Sequence, residues 1–185
     1  MAKNDSPNLI WVDCEMTGLD TVNDALVEIA VLVTDAQLNI LGEGIDLVVR
    51  TSQAKIDGMN DFVREMHTSS GLITEIANGV TLEEADAAIM EYVQKYAPDA
   101  GKSPLAGNSV YVDRGFIARD LPLFNAYLHY RTIDVSSIKE LARRWYPRVY
   151  FGAPKKTGNH RALGDIRDSI DELEYYREQI FVKDV

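Results

Sequence analysis

Apolar positions recur with a period of two near the start of the chain and with a helical period through most of its second half. Leu9 to Glu15 alternates so that Leu9, Trp11, Asp13 and Glu15 share one face of a predicted strand, while Ile10, Val12 and Cys14 share the other. Leu26 to Val33 is nearly all apolar and β-branched, the mark of a central strand covered on both faces. Ile45 to Arg50, after Gly42 and Gly44, predicts its antiparallel neighbour. From Asp57 the pattern turns helical and broken, with Phe62, Met66, Leu72 and Ile76 at turn spacing. Thr81-Leu82-Glu83-Glu84 predicts a capping box, ahead of a helix that carries Ala85, Ile89, Tyr92, Val93 and Tyr96 on one stripe and stops at Pro98.

Ser103 to Ser109 predicts a short fourth strand ending in Gly107-Asn108, then a helix over Val112 to Arg119 and a second one opened by Pro122. Arg131 to Val135 predicts a fifth strand, and Ser137-Ile138-Lys139-Glu140 the capping box of the helix behind it. Pro147 to Asn159 reads as a loop. Leu163, Ile166, Ile170, Leu173 and Ile180 line a final helix. Three leading strands followed by alternating helices and strands predict an α/β fold: a mixed five-stranded sheet with helices on both faces and strands one and four as neighbours.

Composition narrows the functions. With 185 residues and 46% apolar content the chain suits one domain, and 26% charge disfavours disorder. The longest apolar stretch, Ala25 to Val33, contains Glu28 and falls short of the ~20 residues a membrane span needs. Leu9 to Val12 is too short for a secretory core, and a single cysteine, Cys14, fits a reducing compartment, so a cytoplasmic location is expected. A net charge of −10 without a basic run argues against a grip on long nucleic acid.

The candidate chemistry is acidic. One Asp-x-Glu occurs, at Asp13 and Glu15, and composition alone yields about one, so the spacing carries no weight by itself. Its context does. Two same-face carboxylates ~6 to 7 Å apart end a strand, at the edge where α/β sheets bind ligands, and such groups repel unless a cation lies between them. Taken singly, Asp113 is a helix-dipole partner and His160 a loop histidine. Taken together, Asp13, Glu15, Asp113 and Asp165 can meet at one point. An all-oxygen site of that kind selects Mg²⁺ or Mn²⁺ over zinc. His160, at the mouth of a Gly-rich loop with Asp165 five residues on, is placed as a base beside a metal.

These residues resemble the DEDDh 3′-to-5′ exonucleases of ribonuclease H-like fold. The stretches Trp11 to Leu19, Gly107-Asn108-Ser109, Leu128 to Arg131 and Ile138 to Pro147 are similar to those of the oligoribonucleases. The resemblance covers nearly the whole chain and implies a single exonuclease domain over 1–185. It implies two divalent cations, Mg²⁺ or Mn²⁺, held by Asp13, Glu15, Asp113 and Asp165, with His160 taking a proton from the attacking water. The implied substrate is RNA of very few residues, dinucleotides above all, including linear pGpG, and the product a 5′-mononucleotide. Leu19 and Phe62 would then flank the bases, with Gly18 also at the substrate, His67, Asn108 and Ser109 would lie along it, and Tyr130, Arg131 and Ser136 would cap its 5′ phosphate. A homodimer is implied, with Tyr130 and Arg131 crossing to the neighbour's site. Phe62 stands where relatives often have tryptophan, and Gly164 where they often have an acidic residue. Two other readings compete: the same chemistry on longer strands, opposed by the missing basic track, and a non-catalytic nucleotide-binding module, opposed by the carboxylates and His160.

Overall fold

The computed structural model describes residues 6–155 and 161–182. Its sheet has the order β3-β2-β1-β4-β5. β1 (Leu9–Met16) pairs antiparallel with β2 (Leu26–Thr34), which pairs antiparallel with β3 (Ile40–Val48). On its other side β1 is parallel to β4 (Leu105–Gly107), and β4 to β5 (Thr132–Asp134). Both parallel steps need crossovers, and the helices that supply them cover the sheet.

The period-two pattern of β1 divides the core. Ile10, Val12 and Cys14 pack with Ala85, Ile89 and Val93 of α4 (Leu82–Tyr96), Ile117 of α5 (Tyr111–Asp120) and Phe124 of α6 (Pro122–Tyr127). Leu9 and Trp11 pack with Ala142 of α7 (Val135–Trp145) and with Ile166, Ile170 and Tyr176 of α9 (Ala162–Ile180). β2 is buried along its whole length, as its apolar run requires. Three short helices, α1 (Gln53–Asp57), α2 (Asp61–Ser69) and α3 (Leu72–Glu75), lie between β3 and α4 and close a smaller core around Val27, Ile56, Met59 and Leu72. The capping box at Thr81 forms as expected, with its hydroxyl accepting the Glu84 N–H at 3.1 Å and Glu84 accepting the Thr81 N–H at 2.7 Å.

Several boundaries differ from the sequence pattern. β3 begins at Ile40 rather than Ile45, because Gly42 and Gly44 take φ of 80° and 89° and let the strand bulge instead of ending it; the register shifts between Val31 and Val33 opposite. The fourth and fifth strands are three residues each, shorter than the apolar runs suggested. α7 starts two residues before the expected box. Asp134, not Ser137, is its N-cap, and Glu140 pairs instead with Arg143 and Arg144 at 2.8 and 2.7 Å. Within the expected loop, Pro147–Gly152 forms a short helix, α8, with proline in its first turn.

Candidate active site

The carboxyl end of β1 projects Asp13 and Glu15 from the face that packs under α9, whose first turn carries Asp165. One carboxylate oxygen from each of these three residues lies within 4.8 Å of the others. Glu15 is buried at 8% exposure. Burial, then the neighbouring Glu28, Asp165 and Asp113 carboxylates, push its pKa up to about 8, with Arg161 pulling the other way.

Asp113 stands beside this group rather than in it. β4 next to β1 delivers α5, and Oδ1 of Asp113 accepts the Cys14 backbone N–H at 2.9 Å. Burial pushes its pKa up to about 6 against that hydrogen bond. The four-carboxylate convergence expected from the sequence is thus three together and one adjacent. His160 falls outside the described residues.

A cleft of about 460 Å³ runs beside Glu15, lined by Gly18, Leu19, Phe62, Val63 and Met66 among others. Leu19 and Phe62 are about three-quarters exposed there, although both are large and apolar. A Cβ at Gly18 would stand 2.3 Å from Oδ2 of Asp24, so a side chain there requires that carboxylate to move. Asp24 in turn accepts the Thr17 hydroxyl at 3.1 Å and the Asp20 N–H at 2.9 Å, and so shapes the loop that presents Leu19.

His67 sits at the end of β1 beside Glu15. It has no exposed surface, its Nε2 lies 2.9 Å from the Met16 carbonyl oxygen and its Nδ1 3.9 Å from Glu15. The inner face of α2 turns it against the end of β1, next to Glu15.

Asn108 donates through Nδ2 to Ser169 at 2.9 Å and to buried Glu172 at 3.1 Å, and the Ser169 hydroxyl donates to the Asp165 carbonyl at 2.8 Å. The end of β4 is thereby tied to the turn that holds Asp165. Asp134, which the sequence pattern marked only as a strand residue, gathers Ser109 and Ser136: its Oδ1 accepts both their N–H groups at 2.9 Å and the Ser136 hydroxyl at 2.6 Å. Ser109 is held at φ 52°, a left-handed conformation that this carboxylate helps to fix. An Asp immediately before Val-Ser is a helix-cap signal that could have revealed it. Tyr130 is 76% exposed, stacked at 4.4 Å on His129 with the Arg131 guanidinium 5.4 Å from its ring; these contacts place the pair on the surface.

The donor set suits hard cations. The three crowded groups are all carboxylates, so they offer oxygen alone, and their close negative charges repel one another, a cost that protonation or a bridging cation relieves. A carboxylate cluster at the carboxyl end of β1, beside an open, partly apolar cleft, suits a hydrolase that uses a divalent cation.

The comparisons with known proteins agree. A family model described as Exonuclease matches residues 10–173, so the chain belongs to the exonuclease family and is a nuclease, a hydrolase. It is 59% identical to the oligoribonuclease of Streptomyces avermitilis over 94% of this chain and 87% of that protein. It is 57% identical to the oligoribonuclease of Mycobacterium tuberculosis over 94% of this chain and 81% of that one. Within the exonucleases, then, the chain belongs to the oligoribonuclease family. E. coli exonuclease I bound to a dA16 oligonucleotide superposes with a TM-score of 0.70 at 15% identity, over 95% of this chain. This chain spans about 42% of that protein's length, and the likeness establishes the ribonuclease H-like fold.

Proposed function

We propose that this chain is a divalent-metal-dependent 3′-to-5′ exoribonuclease that releases 5′-mononucleotides from very short RNA, with dinucleotides, linear pGpG among them, as its principal substrates. The observation that carries the reading is the meeting of Asp13, Glu15 and Asp165 beside a cleft whose mouth exposes Leu19 and Phe62. The names of the curated relatives support the same substrate class.

In this reading two cations, Mg²⁺ or Mn²⁺, are held by Asp13, Glu15, Asp113 and Asp165. When bound, they supply Lewis acidity to the phosphodiester and make hydroxide available near neutral pH. His160 accepts the proton of the attacking water. Leu19 and Phe62 bracket the bases by apolar contact, with Gly18 allowing the close approach of the loop. Asn108 and Ser109, fixed by Ser169, Glu172 and Asp134, border the sugar-phosphate path. Ser136 and, across a homodimer, Tyr130 and Arg131 of the partner subunit close the far end on a 5′ phosphate, for which a guanidinium fork is well matched. A closed far end selects length, and a chain of net charge −10 has no long electrostatic track to offer a longer strand. The chain acts as one exonuclease domain over 1–185 in the cytoplasm, and no helix among the described residues is long and apolar enough to cross a membrane.

Labelled 5′-phosphorylated RNA of two, five and twenty nucleotides, each with Mg²⁺ or EDTA, tests this directly. The dinucleotide should be hydrolysed fastest, the twenty-mer at least about tenfold more slowly per end, which corresponds to ~1.4 kcal/mol of discrimination, and EDTA should abolish all three rates. Equal rates on every length would reject length selection. No hydrolysis of any substrate would favour a binding module.

Gly18→Ala offers a local check on the cleft. The added methyl must displace the Asp24 carboxylate, whose hydrogen bonds to Thr17 and Asp20 shape the loop that presents Leu19. The expected result is about a tenfold loss in kcat/KM on the dinucleotide, carried mainly by KM, since misplaced positioning groups cost rate without touching the chemistry. Unchanged kinetics would remove Leu19 from the binding surface.

A further inference from the structure

The N-terminus of α9 has no cap from its own side chains, yet it carries Asp165 in its first turn. It is held from outside. Arg161, the residue before the helix, points its Nε at Oε1 of Glu28 (2.7 Å), and its Nη1 and Nη2 at the two carboxylate oxygens of Glu75 (3.2 and 3.1 Å). Glu28 is fully buried on β2, directly across the strand pair from Glu15. Its second oxygen accepts the Ala162 N–H at 3.2 Å and so serves as the missing cap. The Arg161 carbonyl accepts the N–H of Asp165 itself at 3.1 Å. Glu75 belongs to α3, on the α2–α3 side of the molecule that also supplies Phe62.

We infer that Arg161 is a positioning residue: by joining Glu28 to Glu75 and its own carbonyl to Asp165, it sets the Asp165 carboxylate against Asp13 and Glu15 at the spacing a divalent cation requires. The inference rests on the cation-binding reading of that carboxylate group. Two features separate it from an ordinary surface ion pair. Glu28 has no solvent to fall back on, so the guanidinium is its principal countercharge. The fork also spans two elements at once, which a lysine ammonium cannot do with the same geometry. Residues that orient metal ligands without touching the metal typically contribute 10- to 100-fold in metal affinity or activity.

The test is Mn²⁺ affinity of the whole chain, read from the electron paramagnetic resonance signal of free Mn²⁺ with no substrate present, in wild type, Arg161→Gln, Arg161→Lys and Arg177→Ala. Arg177 lies at the far end of α9 and bonds the Gln37 carbonyl and Glu174, so its loss perturbs the same helix away from the site. Arg161→Gln should bind Mn²⁺ at least about tenfold more weakly, Arg161→Lys should fall between it and wild type, and Arg177→Ala should match wild type. Circular dichroism establishes which variants are folded; should Arg161→Gln not fold, Arg161→Lys decides, an intermediate affinity supporting the role and wild-type affinity overturning it. Equal affinity in both Arg161 variants, or an equal loss in Arg177→Ala, overturns the positioning role while leaving the cation site intact. Absence of Mn²⁺ binding by wild type overturns the cation reading itself, and the inference with it.

Discussion

Asp165→Asn lowers hydrolysis of a dinucleotide on the order of a thousandfold, about 4 kcal/mol of transition-state stabilisation, and leaves the fold in place. The two halves of this expectation have separate causes. Asn preserves the size of the side chain and a partly exposed position in the first turn of α9, so little packing is lost. It also removes one of the negative charges that push the Glu15 pKa upward, so without metal the variant should melt no lower than wild type. What disappears is one carboxylate from the group of three on which the proposed cation site rests. Stabilisation by added Mn²⁺ follows RT ln(1 + [L]/Kd), so the metal-induced rise in melting temperature should shrink with the lost affinity. Single-turnover rates at saturating dinucleotide, paired with thermal melts with and without Mn²⁺, check both halves. A loss of less than tenfold would remove Asp165 from the metal set, and a large fall in the metal-free melting temperature would make it a structural residue instead.

How far this site could be read from sequence depended on whether its signals were local. The strand alternation of Leu9 to Glu15 placed Asp13 and Glu15 on one face and Cys14 on the other, because a period-two pattern is a direct imprint of side-chain direction, and the structure places Leu9 and Trp11 in one core and Ile10, Val12 and Cys14 in the other. The order of elements allowed β1 to lie beside β4, and that adjacency is what brings Asp113 near. Two things were not legible, and one was misread. Glu28 looked like an interruption in an apolar strand, and its contacts with the distant Arg161 and Ala162 account for a buried carboxylate there. His67 gave no sign that α2 would turn it inward, since amphipathic position does not say which neighbour lies beneath. The cap of α7 was misassigned because Ser137 and Glu140 satisfied a local box, while Asp134 had the better geometry from the end of β5 and was also needed by Ser109. The first two were decided by contacts across the fold, the third by a choice between two local cap signals.

Trp11→Ala should destabilise the protein by about 3 to 5 kcal/mol, with a fall in melting temperature of roughly 10 °C for a domain of this size. Trp11 has no exposed surface and packs in the cluster that holds Ile166 and Ile170 of α9. Its Nε1–H donates to the Thr34 hydroxyl at 3.0 Å, so truncation leaves both a large cavity and a fully buried hydroxyl without that donor. Trp11→Phe keeps most of the ring volume and should cost less, the difference reporting the hydrogen bond and the remaining void. The consequence for function follows from geometry: Trp11 and Asp13 lie on one strand face, and α9 rests on Trp11 just beyond its Asp165 turn. A cavity there loosens the seat of Asp165 as well as the core, so molecules that are still folded at low temperature should bind Mn²⁺ more weakly than wild type. Urea unfolding followed by circular dichroism gives the first quantity, and Mn²⁺ titration well below the melting transition the second. Lost stability with wild-type Mn²⁺ affinity would show that the carboxylate group is held by its own polar contacts, Glu28 and Arg161 foremost, independently of the core on which the helix lies.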